Sequence, residues 1–542
     1  MTAGTDPSND VGLKARVRTR FASPNPLWVR EMRQASRLTR TPFILMALSM
    51  LLTLLLASAS GLSDRQGPAR VGTMLFHLYF SAAFFVVSLV GPAIGANTIA
   101  SEREGKTWQA VLLTGMPAAR IAQGKLLAGY TSIATYVVML APLGAFPFLF
   151  GGVTPLEVFI GFVYLFLLAG LFVAFGIAIS SKMESLRSAL LSTLLTAVPL
   201  SGASFLLVGG LGGELADRGW EMRTRGPAWL AMAYDRAPFD ESYLTCLVVI
   251  PVVFFVLMGS LLYEITCANL RPASDDRSYG LKRWFAVAAP GVVLLLVLLM
   301  RLVGENDDGE ASLASLFAFS GFVLFGVFLF AGEDLGPSRR VEKELAARSA
   351  LRRFFGPGLI TSGILQLATL AFGYGALLGS GLVVFDLSSS EIERLLLFSI
   401  YAVGFGAFLV GLGAWLRARA RQTTFTRVLL LVALFVLTVV PWVVAAVGGL
   451  ITANPAIDSL AYVVASPSPL YVFVGMKSIG RPSGEAISLV ASIAAAGTYL
   501  GLGTLLILAA HRRTAAFLRL RRERWRELDA RLETEDDEAV AP

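Results

Sequence analysis

The sequence has few charged residues and almost no cysteine for its length. Charged residues make up 15% of its 542 residues, apolar residues make up 55%, and the mean hydropathy is +0.67. Ordinary soluble domains carry about 25% charged residues, so this composition excludes a water-soluble fold. The two cysteines, Cys246 and Cys267, fall in one predicted span about six helical turns apart. They cannot pair within that helix, and no disulfide framework or metal-binding spacing is present.

Phosphate-binding motifs and catalytic constellations are also missing. The sequence contains no G-x-x-x-x-G-K-[ST] motif, and no stretch between the predicted spans is long enough to fold as an ATPase. No catalytic nucleophile, metal cluster or paired-carboxylate site stands out. We therefore expect a protein that is not an enzyme and binds no cofactor itself, with any ATP hydrolysis taking place on another chain.

Ionisable residues are rare inside the predicted spans. Glu264 and Arg301 lie near helix ends, and no series of Asp, Glu or His side chains crosses a span. Carriers driven by protons or sodium usually need such groups, so this scarcity argues against secondary transport. His77 is interpreted as a packing or hydrogen-bonding residue rather than a proton relay. The G-x-x-x-G pairs Gly375 with Gly379 and Gly497 with Gly501 predict close helix packing.

Long apolar windows cover most of the chain. A helix needs about 20 predominantly apolar residues to cross a bilayer, and in lipid it satisfies its own backbone hydrogen bonds. The sequence predicts an all-α, polytopic integral membrane protein of about twelve transmembrane helices. These spans lie near 43–61, 71–95, 126–150, 157–180, 188–212, 244–267, 284–303, 312–332, 358–385, 395–416, 428–452 and 488–510.

The distribution of basic residues predicts the orientation. With a cytoplasmic N-terminus, most of the 46 Lys and Arg residues fall in the segments placed inside, as the positive-inside rule requires. Both termini are then cytoplasmic and the number of spans is even. This topology, together with attraction to anionic membrane lipids, accounts for the net charge of +8 without any nucleic-acid partner.

The chain divides into two similar halves of six spans, and an even number of spans in each makes the pseudo-repeats parallel. In each half a short apolar stretch precedes the sixth span, beginning at Pro227 and at Pro469, and is too short to cross the bilayer. We expect interfacial or re-entrant helices there. The predicted domains are a disordered basic tail 1–24, a first six-span unit 25–270, a cytoplasmic linker 271–283, a second six-span unit 284–511 and a basic-acidic cytoplasmic tail 512–542.

The first large cytoplasmic loop carries the most informative motif. Ser101 and Glu104 have capping-box spacing, which predicts that a short helix begins here, and Gly115 with Pro117 predicts its end. Glu102, Arg103 and Lys106 would then occupy its first turn, with Trp108, Val111 and Leu112 on one apolar stripe. An ordinary interfacial helix remains an alternative interpretation.

A second amphipathic helix is predicted before the first span. Asn25 is placed to cap it and Pro26 to occupy its first position. Its apolar face would rest in the membrane interface, whereas the charged residues Arg30, Glu31 and Arg33 would face water. A plain topogenic anchor is the simpler alternative.

These motifs resemble those of a known family. The pattern Ser-Glu-Arg-Glu-x-x-Thr-Trp-x-x-Leu-Leu-x-Thr, followed by Ile121-x-x-Gly124-Lys125, is similar to the coupling region of type-2 ATP-binding-cassette (ABC) exporter permeases. The segment from Asn25 resembles the elbow helix of the same permeases. This resemblance covers residues 25–270 and implies elbow helix, coupling loop and re-entrant helices. The second half matches only in outline, because its loop from Glu333 to Glu344 lacks the Thr-Trp pattern.

The resemblance implies a permease subunit of an ABC-type exporter in the bacterial inner membrane. Its motor would be a separate ATPase dimer that binds ATP and Mg and docks on the cytoplasmic loops, and the transported substrate stays unknown. An ion-coupled carrier and a non-transporting membrane scaffold remain alternatives. The residues expected to couple to the ATPase are Glu102, Arg103, Glu104, Thr107, Trp108, Leu112 and Lys125, with Arg339, Arg340 and Glu342 as candidates in the second half.

Overall fold

The computed structural model divides into two compact units, Met1–Pro272 and Ala273–Pro542. The boundary falls inside the predicted linker 271–283. The structure describes residues 24–35, Met46, Ala47, Ser49, Met50, Thr53, Leu54, Ala57, 67–222, 227–303, 308–420, 422–447, 463–476 and 485–540.

The described residues fold as helices without any strand, so the predicted all-α class is confirmed. In the described part of the chain, eleven helices are long and apolar enough to cross a bilayer, and they coincide with eleven of the twelve predicted spans. The remaining predicted span, 43–61, and the predicted tail 1–24 lie largely outside the described residues. The protein is a multi-pass membrane protein.

The first unit begins with a short helix and then alternates spans with short connections. Proline at the first position starts three of its helices, where its missing N–H costs nothing. Its helices are α1 (Pro26–Ala35), α2 (Pro68–Glu104), α3 (Trp108–Leu113), α4 (Ala118–Leu149), α5 (Pro155–Ser180), α6 (Leu186–Leu206), α7 (Gly213–Trp220), α8 (Trp229–Arg236), α9 (Glu241–Tyr243) and α10 (Ile250–Leu270).

The second unit repeats much of this order. Its helices are α11 (Tyr279–Val303), α12 (Asp308–Phe330), α13 (Arg339–Ala346), α14 (Ala350–Phe354), α15 (Leu359–Val384), α16 (Ser389–Arg419), α17 (Thr423–Val447), α18 (Pro469–Met476) and α19 (Glu485–Val540). The two short apolar stretches predicted from Pro227 and Pro469 are helical, as α8 and α18.

Close helix packing occurs at other glycines than those predicted. A Cβ at Gly95 would lie 2.4 Å from the carbonyl oxygen of Val173, so α2 and α5 approach closely only because this residue is glycine. By contrast, a Cβ at any of the four G-x-x-x-G glycines would meet no atom of the described residues within 4 Å. The packing role predicted for Gly375, Gly379, Gly497 and Gly501 is therefore wrong in this structure.

Candidate functional site

The connection from α2 to α4, residues 105–117, is named the first loop. It opens with a hydrogen-bonded turn at the end of α2. Lys106 has φ +56°, its N–H donates to the Arg103 carbonyl at 3.1 Å, and the Thr107 N–H donates to the Glu102 carbonyl at 2.9 Å. This pair of bonds is the Schellman motif, which ends a helix. The predicted helix start at Ser101 is therefore wrong, because this residue belongs to the last turns of α2.

The short helix α3 begins later than predicted but ends where Gly115 was expected to end it. Gly115 has φ +66°, a left-handed conformation that glycine adopts without strain. The expected single apolar stripe is also wrong. Val111 is buried and Trp108 half-buried against the core, whereas Leu112 is 48% exposed and its neighbour Leu113 is 87% exposed.

An ion cluster lies at the base of this loop, and Lys125 is its centre. The Lys125 ammonium group is fully buried and lies 2.8 Å from a Glu31 carboxylate oxygen and 2.9 Å from a Glu102 carboxylate oxygen. It also donates to the Thr98 carbonyl at 3.0 Å. Arg30 pairs with both carboxylates. A buried ammonium group needs such partners, because desolvation is not otherwise offset.

The helix α1 docks on α4 through this cluster. Asn25 caps α1 by accepting from the Leu27 N–H at 3.1 Å, and its amide also donates to the Arg120 carbonyl at 2.8 Å. The Trp28 indole donates to the Thr131 hydroxyl at 3.1 Å. The predicted helix is confirmed, and the Arg30 side chain is 41% exposed, but the expectation that Glu31 faces water is wrong, because its side chain is only 21% exposed. Arg33 is exposed, as expected.

Charge around Glu31 favours its ionised form. Burial is the largest single effect and opposes ionisation, but attraction and hydrogen bonds from Lys125 and Arg30 together outweigh it and lower the pKa of Glu31 below its ordinary value of 4.5. The carboxylate is therefore ionised at neutral pH. The cluster holds two acidic and two basic side chains, which balance in charge.

Gly124 is the residue that lets α1 lie against α4. A Cβ at this position would lie 2.7 Å from Asn25 Oδ1 and 2.9 Å from Leu27 Cβ. The substitution Gly124→Ala is expected to displace α1 and cost about 1–3 kcal/mol of stability. Thermal unfolding in detergent measures the loss, and tryptic cleavage within α1 measures the displacement.

A matched control is Gly202→Ala in α6, where a Cβ meets no atom within 4 Å. Alanine has the higher helix propensity, so this control is expected to be neutral or slightly stabilising. Equal behaviour of the two variants would contradict the close contact between α1 and α4.

The two charged residues that follow Glu102 bind the connection between α5 and α6. Arg103 donates to the Met183 carbonyl at 2.9 Å and lies over the Trp108 ring at 5.5 Å. Glu104 accepts from the Leu186 N–H at 2.7 Å and so satisfies an otherwise free donor at the N-terminus of α6. These contacts hold the end of α2, where the first loop begins, against the connection between α5 and α6.

The structure therefore gives the predicted coupling residues two different positions. Glu102, Arg103, Glu104 and Lys125 make contacts inside the unit, whereas Leu112 faces outward. Sequence reasoning missed Leu113, which is the most exposed apolar residue of the first loop. An apolar pair at consecutive positions of a short loop helix was the signal that could have found it.

The equivalent connection in the second unit, residues 331–358, is named the second loop. It too has a buried lysine at its base. Lys282 is fully buried, lies 3.2 Å from a Glu333 carboxylate oxygen, and donates to the Gly356 carbonyl at 2.7 Å. The buried lysine comes from α11 in this unit and from α4 in the first unit, so the two loops have a similar buried ion pair at their base, supplied by different helices.

The three candidate residues of the second loop all have partners in their own unit. Arg339 pairs with Asp529, Arg340 lies 3.3 Å from Asp275, and Glu342 accepts from Arg522 at 2.9 Å. The second loop has no pair of adjacent exposed leucines: Val341 and Leu345 of α13 are both buried, and Leu351 of α14 is exposed singly.

At the opposite end of the first unit, two π-helical segments interrupt the spans. Leu207–Gly212 follows α6, and Leu244–Val249 precedes α10. Pro251 has no N–H to offer the Leu247 carbonyl four residues earlier. The Tyr234 hydroxyl of α8 donates to that carbonyl instead. An unpaired carbonyl would be costly within lipid, so this bond compensates for the proline.

The same short helix makes further polar contacts with other spans. The Trp229 indole donates to the Val208 carbonyl of the first π-segment at 2.6 Å. Arg236 donates to a carboxylate oxygen of the fully buried Glu157 at 2.6 Å. The α8 helix is thus bonded to three spans of its unit.

A double-mutant cycle tests the Pro251 explanation. Tyr234→Phe is expected to cost about 1–3 kcal/mol, because the Leu247 carbonyl loses its donor. In a Pro251→Ala background the restored N–H satisfies that carbonyl, so the same change should cost clearly less. Thermal unfolding of the four proteins gives the coupling, and simple addition of the two effects would contradict it.

No group of three or more His, Cys, Asp and Glu side chains is arranged to hold a metal ion in the described part of the chain. No protein-family model matches the chain, and no curated protein matches it. The resemblance to exporter permeases therefore stays a prediction, and the function has to be argued from the geometry of the site.

Proposed function

We propose that the protein is the membrane-spanning permease subunit of an ABC-type exporter and that a separately encoded ATPase dimer docks on its first loop. The observation that supports this most directly is the pair of exposed leucines, Leu112 and Leu113, on α3. Ion pairs and hydrogen bonds beneath this short helix hold the ends of its loop in place. Apolar side chains commonly become buried at the centre of an interface. A loop that is already held in place loses less conformational entropy when a partner docks on it.

The contacts beneath α3 explain how docking would act on the spans. Lys125 and Glu102 join α2 to α4, Glu31 adds α1, and Glu104 adds α6. A displacement of α3 by a closing motor is transmitted to these helices together. Closure of the ATPase on ATP and Mg would thus alternate the access of the pathway. This proposal places the loops and both termini on the cytoplasmic side of a bacterial inner membrane.

Photolabelling with 8-azido-ATP tests whether ATP binds to a separate subunit rather than to this chain. The protein is purified in mild detergent from its native membrane and illuminated with the nucleotide analogue. We expect label on a second polypeptide that co-fractionates with this chain, and none on the chain itself, because it has no phosphate-binding motif. Label on this chain, or a purified protein without any labelled companion, would contradict the proposal.

A further inference from the structure

The last helix, α19, continues far beyond its apolar span and lies along the second loop. Four of its residues contact that loop. Leu518 packs against Gly336, where an added Cβ would lie 2.5 Å from Leu518 Cδ2. The remaining contacts are Arg521 to the Pro337 carbonyl at 3.0 Å, Arg522 to Glu342 at 2.9 Å, and Asp529 to Arg339.

These contacts come from one side of α19. Leu518, Arg522 and Asp529 are four and seven residues apart, a spacing that keeps side chains on one helical stripe. They extend from residue 518 to residue 529, a separation of eleven residues or about 16 Å along the helix. Thr514, one turn before Leu518, is buried on the same stripe, whereas Leu520 on another side is 67% exposed. The helix therefore presents a defined face to the loop.

Charge complementarity fixes the direction in which α19 lies on the loop. The basic Arg339 meets the acidic Asp529, and the acidic Glu342 meets the basic Arg522. A reversed helix would oppose like charges at both places, which disfavours that arrangement. The ion pairs thus specify one docked position.

We infer that α19 permanently occupies the surface of the second loop that Gly336, Pro337, Arg339 and Glu342 form, so that the first loop alone receives a motor subunit. The docking of α19 stands on its own contacts, whereas the consequence for the motor rests on the proposed function. Of the three residues that the sequence offers for a motor contact in this half, Arg339 and Glu342 are bonded to α19, whereas Arg340 lies 3.3 Å from Asp275. In the first loop, Leu112 and Leu113 are exposed instead.

Thiol labelling tests whether α19 covers the loop. Leu518→Cys is introduced into a Cys246→Ala/Cys267→Ala background, with Leu520→Cys as the control on the same helix. We expect maleimide to label Leu518→Cys about tenfold more slowly than Leu520→Cys. An exposed ion pair typically changes an equilibrium, here between docked and undocked α19, by about 1.5-fold to 5-fold. The variant Arg339→Glu/Arg522→Glu breaks both ion pairs and should therefore accelerate labelling of Leu518→Cys several-fold.

Charge exchange supplies the control for this acceleration. Adding Asp529→Arg and Glu342→Arg restores opposite charges at both contacts and should return the labelling rate to within about twofold of the starting value. Equal labelling of Leu518→Cys and Leu520→Cys in the unaltered loop would overturn the docking of α19. An unchanged rate in Arg339→Glu/Arg522→Glu would overturn it as well.

Photocross-linking tests the consequence for the motor. A benzophenone maleimide is attached to Leu113→Cys in the first loop or to the exposed Lys343→Cys in the second. In the full-length protein, we expect cross-links to the 8-azido-ATP-labelled polypeptide from Leu113→Cys only. Equal cross-linking from both positions would overturn the inference. No cross-link from either contradicts the proposed function, whereas the labelling rates report on α19 by themselves.

Discussion

Replacing Leu113 by aspartate is expected to abolish stable association with the proposed ATPase while the protein keeps its fold. The side chain is 87% exposed, so the fold loses little when it is changed. A docked motor would bury it, and full burial of a leucine side chain is worth about 2 kcal/mol, which is about a 30-fold change in affinity. Co-purification of the labelled ATPase with the variant, at matched protein yield, measures the effect.

The second loop provides the control for this experiment. Leu351 is 69% exposed, and Leu351→Asp places the same new charge on the loop that α19 contacts. We expect this variant to bind the ATPase as the unaltered protein does. Equal weakening by Leu113→Asp and Leu351→Asp would show that the effect is not specific to the first loop, and unaltered binding of Leu113→Asp would remove that residue from the interface.

Removing Lys125, at the base of the first loop, is expected to cost more stability than removing any charged side chain of the loop itself. Lys125→Ala leaves the carboxylates of Glu31 and Glu102 close together without their buried cation, and loss of one partner from a buried pair typically costs about 3–5 kcal/mol. The thermal midpoint in detergent measures this loss. Lys106→Ala, which removes an exposed lysine from the same loop, should leave the midpoint nearly unchanged.

The pH dependence of that loss follows from the lowered pKa of Glu31. A carboxyl group with a depressed folded-state pKa contributes stability that is complete above its ordinary value near 4.5 and is lost as the pH falls through the folded-state value. The midpoint difference between the unaltered protein and Lys125→Ala should thus be largest at neutral pH and shrink below about pH 4.5. A difference that grows on acidification would contradict the role assigned to this pair.

The spans could be predicted from the sequence because lipid restricts the backbone to helices. Eleven predicted spans coincide with apolar helices, and Asn25 and Gly115 bound their helices as their residue types suggest. The predicted boundary at Ser101 was wrong because a pattern typical of a helix start overlaps there with the end of the preceding helix. Ser101 and Glu104 have the spacing of a helix start, yet the Schellman bonds at Lys106 show that the preceding helix ends there.

The contacts of the site could not be predicted, because they depend on tertiary structure. Lys125 and Glu31 are far apart in sequence, and no local pattern shows that a lysine after glycine is fully buried against α1. The amphipathic pattern of α1 placed Glu31 in water for the same reason. In the second unit, Arg522 and Asp529 contact the second loop although they lie 180 and 190 positions from their partners in the sequence. The sequence pattern of their segment shows only that it is rich in basic and acidic residues.

Cross-linking from position 113 tests the central claim most directly. In native membranes, a benzophenone on Leu113→Cys is illuminated after labelling of ATPases with 8-azido-ATP, and Leu351→Cys serves as the matched exposed position. Docking on the first loop predicts a cross-link between the nucleotide-labelled polypeptide and position 113, with little or none from position 351. Cross-linking of Leu113→Cys to lipid alone would contradict the claim and favour an interfacial helix without a motor.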